Sequence, residues 1–284
     1  MGEEREFVGA RLDAGLRAAR FSSPPSADEF AADVEPKNVP AVILLPYALL
    51  KFCFRQEKVG PDVAVEAMMS NTGHVFYGDL RSHERAGFCS GLANYKSSHM
   101  DENKEGCSLQ VLEGDIQEPI FLRGKSFSSI NFWMNKGHLR SSTHYDPHHN
   151  LLCVVSGRKK VTLWPPSASP FLYPLPVYGE ASNHSSVSVE EPDYSIYTRA
   201  RYMKEYSETV ILNCSDVVFI PEGWYHQVDS DDLTIAVNFW WKSRIMTQML
   251  EHMDAYYLRR IMSRYNHLRS AHRIAPTSYP TMKN

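Results

Sequence analysis

The sequence predicts a mainly β protein, either a sandwich or a small barrel, with helical additions. From residue 129 onward, short runs of β-type residues alternate with turn signals, which is typical of such folds. Two of these runs, Leu151–Ser156 and Val161–Trp164, flank a Ser156-Gly157 turn and predict a hairpin. A chain of 284 residues suits one large domain and can bury a substantial core.

The first 38 residues are predicted to be a separate polar segment. They are mildly acidic, and a short helix is expected over Glu3–Arg20. The Ser/Pro-rich stretch at residues 22–26 interrupts this segment and indicates a break.

Residues 39–128 are expected to form an N-terminal wing that supports the barrel. Pro61–Ser70 predicts a helix, with Pro61-Asp62 at its start. Val75–Tyr77 predicts a short strand, and Arg81–Tyr95 is expected to be helical or irregular.

Residues 129–241 are expected to form the barrel core. A Pro/Ser/Tyr-rich insertion at 165–209 interrupts the strands, and long insertions of this kind are usually functional lids or disordered segments. The predicted strands are Ser129–Met134, Leu151–Ser156, Val161–Trp164, Val210–Leu212, Val217–Ile220, Trp224–Val228 and Thr234–Trp240.

Residues 242–284 are expected to form a C-terminal helix and a basic tail. Apolar residues recur at helical spacing over Ile245–Ser263, and this helix either packs on the barrel or forms a homodimer surface. The segment carries a net charge of +6, which favours a solvated helix face over a contact with RNA or chromatin.

Composition excludes several classes of protein. The formal net charge of −3 gives no general attraction to nucleic acid or to an anionic membrane. Val39–Phe54, the longest apolar patch, is too short to span a bilayer, so no membrane partner is expected. Five cysteines without a C-x-x-C spacing predict neither a disulfide framework nor a zinc site, and fit a reducing compartment, the nucleus or the cytoplasm or both.

One motif points to a metal. On an extended strand, the alternating residues His144 and Asp146 face the same side of a sheet. With a third ligand from a neighbouring strand, here His226, they would make the two-histidine, one-carboxylate set of non-haem Fe(II) sites. Among 12 histidines a bare H-x-D is a weak signal. His148 and His149, on the same loop, are interpreted as turn or supporting residues, and His138 and His184 are expected at the surface.

Polar residues within the β-type segments strengthen this interpretation. Asn150, Lys159 and Asn238 are costly to bury unless they are paired, and an acidic cosubstrate beside the metal would pair them. Strand alternation places Lys159 on the same face as Val161 and Leu163, which predicts an inward lysine. The alternative, with Lys160 inward instead, stays open.

Several spaced motifs, in order, resemble the JmjC (Jumonji-C) family of cupin-like Fe(II)/2-oxoglutarate dioxygenases. The resemblance covers roughly residues 62–260 and is greatest to small plant JmjC-only proteins described as lysine-specific demethylases. It implies a double-stranded β-helix (jelly-roll, cupin) barrel. The motifs are Trp133, Gly137, Ser141, His144-x-Asp146, Asn150, Gly157-x-Lys159, Leu163-x-Pro165, Ile220-Pro221-x-Gly223-Trp224-x-His226 and Asn238-Phe239-Trp240.

The resemblance implies a role for each site residue. His144, Asp146 and His226 would hold Fe(II), with 2-oxoglutarate and O₂ as cosubstrates. Lys159 and Ser141 would bind the far carboxylate of 2-oxoglutarate. Asn150 and Asn238 would form hydrogen bonds to the cosubstrate near the metal, although a turn or ladder cap remains the alternative for either amide.

The expected activity is hydroxylation of a C–H bond in a macromolecule. The resemblance favours histone N-methyl-lysine demethylation, whereas the lack of a recognisable reader-domain cluster favours hydroxylation of a protein side chain or an RNA. The alternatives are a wybutosine-type tRNA-base hydroxylase and a catalytically impaired cupin-like binding protein. A sugar isomerase or storage-type cupin is disfavoured by the matched lysine and asparagines.

The chain departs from the family pattern in two places. Relatives carry a Tyr-x-x-Gln strand ahead of the barrel, and here the nearest tyrosine, Tyr95, precedes a sequence that does not predict a strand. Val42–Lys58 also lacks the tryptophan-bearing segment that relatives have. Both departures bear on the affinity for the cosubstrate and on activity.

Overall fold

A computed structural model describes residues 12–45, 116–176 and 181–244, together with the backbone of two short strands at 74–75 and 92–93. The described part is mainly β. The strands are β1 (Ala19–Phe21), β2 (Ala41–Leu44), β3 (His74–Val75), β4 (Leu92–Ala93), β5 (Ser129–Asn135), β6 (Leu139–Ser141), β7 (His144–Tyr145), β8 (His149–Ser156), β9 (Lys159–Trp164), β10 (Glu208–Leu212), β11 (Asp216–Ile220), β12 (Tyr225–Ser230) and β13 (Thr234–Trp241).

Helical elements in the described residues are short. They are the α-helices α1 (Ala27–Glu29) and α2 (Ser169–Leu172), a π turn at Phe30–Val34, and 3₁₀ turns at Ala14–Leu16, Glu35–Lys37, Ile120–Leu122, Pro166–Ala168 and Thr198–Tyr202. Ser26 caps α1 through a reciprocal pair of hydrogen bonds with Glu29. No helix among the described residues is long and apolar enough to cross a membrane.

The strands form two sheets that face each other. The larger has the order β1-β2-β11-β8-β13-β5-β4, and the smaller has the order β10-β9-β12-β6-β3, with β7 also paired to β12. Each of the predicted strands between 129 and 241 is present, and the predicted two-sheet β architecture is confirmed. The hairpin predicted for Leu151–Ser156 and Val161–Trp164 was wrong, because β8 and β9 lie in different sheets and pair with other strands. At the turn that joins them, Gly157 has φ +77°, and a Cβ there would lie 2.8 Å from the Leu233 carbonyl oxygen.

Strand alternation divides the core into two layers. On β8, Leu152 and Val154 pack with Val161 and Leu163 of β9, so these residues fill the space between the two sheets. The alternate residues of β8, Leu151 and Cys153, lie on the outer face of the larger sheet, where fully buried Phe30 packs in the same core cluster. The segment at residues 12–37 therefore contributes core side chains.

The insertion packs on the outer face of the smaller sheet. Residues from its two described parts surround Trp164 of β9 and Tyr225 of β12. The Trp164 indole Nε1–H donates to the Met203 carbonyl at 2.9 Å, which satisfies a buried donor. The described insertion is therefore a packed cover on the barrel.

Two further local predictions were wrong. The helix expected over Glu3–Arg20 is replaced, in its described part, by a 3₁₀ turn and by β1, whose backbone pairs in parallel with β2. Leu92–Ala93, expected to be helical or irregular, pairs with β5 at the sheet edge. In both segments the hydrogen bonds offered by a neighbouring strand outweigh a weak local preference.

One further prediction is confirmed in part, and others concern residues that the structure does not describe. The strand expected at Val75–Tyr77 is present as His74–Val75. The predicted helices at Pro61–Ser70 and Ile245–Ser263 lie outside the described residues. Residues 242–284 form a second compact unit, of which 242–244 are described.

Candidate metal centre

Three predicted ligands meet at one end of the smaller sheet. His144 on β7 lies directly opposite His226 on β12, and Asp146 follows β7. Their ligand atoms all lie within 4.8 Å of one another. The Asp146 carboxylate oxygens are 3.9 Å from His144 Nε2 and 3.5 Å from His226 Nε2. The structure thus brings together the three residues that the motif spacing predicts.

Backbone hydrogen bonds orient both imidazoles. His144 Nδ1 lies 2.7 Å from the Ser142 carbonyl oxygen, and His226 Nδ1 lies 3.1 Å from the Trp224 carbonyl oxygen. Because a carbonyl only accepts, each Nδ1 must carry the proton. Each Nε2 then presents its lone pair towards the Asp146 carboxylate, which is the tautomer a metal ligand needs.

The electrostatics keep His226 neutral. Burial, followed by the neighbouring His144, lowers the pKa of His226 to about 4. The backbone of Asp146 is fixed as well, because the Gly223 N–H donates to its carbonyl at 2.9 Å. Two imidazoles and a carboxylate are the donor set that suits a divalent transition metal.

Lys159 lies inside the barrel, as strand alternation predicts. It is 6% exposed, and its Nζ donates to the Ser230 hydroxyl at 2.6 Å. Burial lowers the pKa of Lys159 to about 8. Lys160, on the opposite face, is exposed and pairs with Asp229 at 2.7 Å. The predicted strand phase is confirmed.

The strand register defines how far Lys159 lies from the three candidate ligands. On β9, Leu163 lies opposite His226 and Lys159 lies opposite Ser230. The four-residue separation corresponds to about 13 Å along the strand at 3.3 Å per residue. A short dicarboxylate together with the lysine side chain would span such a gap.

The two predicted amides are buried on the barrel side. Asn150 and Asn238 share strand parity with the interior residues Leu152 and Ala236. Within the described part of the chain, neither carbonyl oxygen Oδ1 has a hydrogen-bond partner, and Asn150 Nδ2 reaches Asp146 Oδ2 only at 3.5 Å. Since an unpartnered buried acceptor costs free energy, these groups fit a site that takes a polar ligand.

Ser141 is the last residue of β6, a strand of the smaller sheet that pairs with β12. Its Oγ accepts a hydrogen bond from the Val228 N–H at 2.9 Å, which leaves the hydroxyl proton to donate elsewhere. Val228 is paired with Val161, two residues along β9 from Lys159. The structure therefore places Ser141 and Lys159 in the same sheet, on β6 and β9, which flank β12 on its two sides.

The prediction that His184 lies at the surface was wrong. His184 is 2% exposed, and its ring stacks on His144 with centroids 5.1 Å apart and an interplanar angle of 17°. Sequence reasoning missed this residue because nothing in the polar insertion marks the segment that pairs with β7. Ser230, the partner of Lys159, was missed as well, and the register opposite Lys159 was the signal that could have found it.

The neighbouring histidines have other surroundings. His149 is buried on the outer side of the larger sheet against Phe219 and Trp241, where its Nδ1 accepts from the Glu222 N–H at 3.1 Å. His148 stacks on Trp240 with centroids 5.6 Å apart. Both are packing residues rather than ligands, as the sequence interpretation expected. Tyr95 lies outside the described residues.

Comparison with known proteins agrees with this architecture. The family model for the cupin-like domain matches residues 66–247. Lysine-specific demethylase JMJ31 of Arabidopsis thaliana is 49% identical over 290 residues, covering 85% of this chain and 53% of that protein. Lysine-specific demethylase JMJ30 of the same plant is 32% identical over 139 residues, covering 48% of this chain and 31% of that protein.

A relative whose name gives a different role also matches. The tRNA wybutosine-synthesizing protein 5 of Gallus gallus is 35% identical over 132 residues, covering 46% of this chain and 39% of that protein. The chain spans about half the length, or less, of these curated relatives. The family match covers more than half of the chain and includes the His-Asp-His group and every strand of the two sheets except β1 and β2, so the chain belongs to the cupin-like JmjC-domain family.

Proposed function

We propose that this chain is an Fe(II)- and 2-oxoglutarate-dependent oxygenase that hydroxylates a C–H bond of a macromolecular substrate. The observation that carries the proposal is the convergence of His144, Asp146 and His226, with their ligand atoms within 4.8 Å of one another. Two neutral imidazoles and one carboxylate on one side of a metal leave its other positions open, which is the arrangement of non-haem Fe(II) oxygenases.

In this proposal the two histidines and Asp146 hold the iron. When bound, iron with 2-oxoglutarate and O₂ as cosubstrates would supply the oxidative chemistry, with succinate and CO₂ as the coproducts. The chain contributes orientation: the Ser142 and Trp224 carbonyls fix the imidazole tautomers, and the Gly223 amide fixes Asp146.

Lys159 is the residue that would bind the far carboxylate of 2-oxoglutarate. Its buried ammonium has one neutral partner, Ser230, among the described residues, and an anion would offset its desolvation. Ser141 would donate its hydroxyl proton to the same carboxylate. Asn150 and Asn238 would meet the cosubstrate through their Nδ2–H groups, and water near the iron would donate to the Oδ1 atoms that have no partner among the described residues.

Packing around the site would limit the access of bulk water to the reacting centre. Fully buried Trp224 lies two residues before the ligand His226, and the insertion covers the outer face of the same sheet. A water-poor site strengthens charge-assisted bonds and suppresses side reactions.

The substrate we favour is an N-methylated lysine of a protein, a histone in particular. The support is the resemblance to the two Arabidopsis proteins named lysine-specific demethylases, one of which matches 85% of this chain. Hydroxylation of an N-methyl carbon gives an N-hydroxymethyl amine, which collapses to formaldehyde and the demethylated amine. A nuclear location would go with this substrate, and a cytoplasmic location with other protein or tRNA substrates.

Two other outcomes belong to the same chemistry. Protein side-chain hydroxylation leaves a stable alcohol, and tRNA-base hydroxylation is supported by the wybutosine-synthesizing relative over a shorter match. The rival of a different class is a cupin-like protein that binds without turnover, which the departure from the Tyr-x-x-Gln pattern favours. A homodimer through residues 245–263 stays a prediction.

The test is product analysis with the iron-loaded chain. Trimethyl-lysine histone peptides, unmodified peptides and tRNA are each incubated with 2-oxoglutarate and ascorbate under air. Formaldehyde with a peptide mass loss of one methylene supports demethylation, and a gain of one oxygen supports stable hydroxylation of peptide or nucleoside. Iron binding without succinate formation under any condition would support the binding protein instead.

A further inference from the structure

A tripeptide of the insertion pairs with the strand that carries the first metal ligand. The Asn183 carbonyl accepts from the Tyr145 N–H at 3.1 Å, and the Ser185 N–H donates to the Thr143 carbonyl at 2.8 Å. The Asn183 side chain adds a third bond, from Nδ2 to the Tyr145 carbonyl at 2.8 Å. Residues 183–185 thus occupy the edge of β7 that faces away from β12.

This support matters because β7 has only two residues, His144 and Tyr145. Its pairing with β12 supplies two register positions, Tyr145 opposite Tyr225 and His144 opposite His226. A strand this short has few bonds of its own to fix a side chain. Pairing with residues 183–185 at the second edge of β7 therefore contributes substantially to holding His144 in place.

His184 acts on the ring of His144 directly. The two rings are stacked at 5.1 Å with an angle of 17°, whereas His226 meets His144 at 4.4 Å and 54°. The His184 ring is itself held, because its Nδ1 lies 3.0 Å from the Asn183 side-chain oxygen. The tilt of the His144 imidazole is thus set by His184 as well as by the bond to the Ser142 carbonyl.

We propose that His184 is a positioning residue of the metal centre. By stacking on His144 it holds that imidazole in the orientation that presents Nε2 to a metal, and Asn183 and Ser185 anchor it to β7. The insertion is then part of the metal site and not only a cover on the sheet. This inference rests on the proposed function only in requiring that His144, Asp146 and His226 bind a divalent metal.

The experiment measures metal binding without turnover. Mn(II) alone is titrated into the metal-free full chain and followed by electron paramagnetic resonance. The variants are His184→Leu, which keeps apolar bulk without a ring, and His184→Phe, which restores a stacking ring. His138→Ala, at an exposed histidine outside the site, is the matched control.

We expect His184→Leu to weaken Mn(II) binding about tenfold to a hundredfold, the range found when supporting residues of metal ligands are replaced. His184→Phe should recover most of the affinity, and His138→Ala should match the parent. Co(II) absorption spectra should show an altered ligand field in His184→Leu and a parental one in His184→Phe.

Thermal unfolding in chelator separates positioning from folding. A positioning role is supported if His184→Leu and His184→Phe have equal stability without metal but differ in Mn(II) affinity. Equal affinity in parent, His184→Leu and His184→Phe would overturn it, as would an equal loss in both folded variants. If either variant fails to fold, Asn183→Ala, which removes the side-chain anchor, should weaken Mn(II) binding, and parental affinity there would overturn the inference.

The outcomes also separate this inference from the proposed function. A parent chain that binds Mn(II) but forms no succinate with iron and 2-oxoglutarate contradicts the oxygenase proposal and leaves the role of His184 intact. A parent chain that binds no divalent metal contradicts both.

Discussion

Lys159 and Ser230 lie directly opposite each other on paired strands inside the barrel, and the lysine Nζ donates to the serine hydroxyl at 2.6 Å. Within the described residues, no carboxylate lies within ion-pair distance of this ammonium. A buried cation with one neutral partner is a costly arrangement for a folded chain. Its presence in the same sheet as the three candidate ligands, four residues along β9 from their level, favours an anionic ligand between them.

The first prediction concerns this cost. Lys159→Met should raise the free energy of unfolding of the ligand-free chain by about 1–3 kcal/mol, because burial penalises the charge and methionine fills similar volume. The same variant should lose affinity for 2-oxoglutarate about tenfold to a hundredfold, since a charge-assisted bond is worth about 1.5–3 kcal/mol. Urea unfolding and calorimetric titration measure the two effects.

Lys160→Met is the matched control on the same strand. Lys160 is exposed and pairs with Asp229, so its replacement should change stability and 2-oxoglutarate affinity little. A loss of 2-oxoglutarate affinity in Lys160→Met that Lys159→Met does not share would contradict the inward assignment.

The second prediction concerns pH. The pKa of Lys159 in the ligand-free chain is lowered to about 8, and only the protonated amine attracts a carboxylate. Affinity for 2-oxoglutarate should therefore be constant below pH 8 and fall as pH rises above it, approaching tenfold per pH unit. Titrations from pH 7 to 9.5 check this, and Lys159→Met should remove the dependence.

The same pKa has the opposite effect on folding. Its folded value lies below the unfolded value of 10.5, so the unfolded chain binds more protons between about pH 8 and 10.5. The contribution of Lys159 to the free energy of unfolding should therefore rise across this window. The contribution is isolated by subtracting the unfolding free energy of Lys159→Met from that of the parent at each pH. A difference that falls as pH rises would contradict the prediction.

Much of the site follows from local sequence rules, and the exceptions have physical reasons. Alternation along β9 was enough to place Lys159 inward, because a strand has only two faces. His184 could not be placed, because its burial comes from pairing between an irregular insertion and a two-residue strand far away in sequence. Leu92–Ala93 was missed for a related reason: the neighbouring strand β5, and not its own propensity, makes it extended.

The third prediction concerns the missing tyrosine. Tyr95→Phe should leave 2-oxoglutarate binding nearly unchanged, whereas Ser141→Ala should weaken it about tenfold, as expected when a hydrogen bond to a charged group is lost. Calorimetric titration with Mn(II) as a redox-silent metal compares the two. A large loss in Tyr95→Phe would show that the segment following Leu92–Ala93 supplies the family's tyrosine after all.

The fourth prediction concerns Asn238. Its buried Oδ1 has no partner among the described residues, so Asn238→Ala should change the stability of the ligand-free chain by less than about 1 kcal/mol. The variant should weaken the combined binding of metal and 2-oxoglutarate more than it weakens metal alone. Thermal unfolding with Mn(II), with and without 2-oxoglutarate, measures the difference. If Mn(II) alone and Mn(II) with 2-oxoglutarate each stabilise the variant as much as the parent, Asn238 does not bind the cosubstrate.

The central claim is that His144, Asp146 and His226 hold a catalytic iron. The most direct measurement is succinate formed from 2-oxoglutarate by the iron-loaded chain, alongside its iron content. The parent should bind about one iron and form succinate, while folded His144→Ala and Asp146→Ala variants should lose most of the iron and all turnover. A double variant that forms succinate at the parental rate would contradict the assignment.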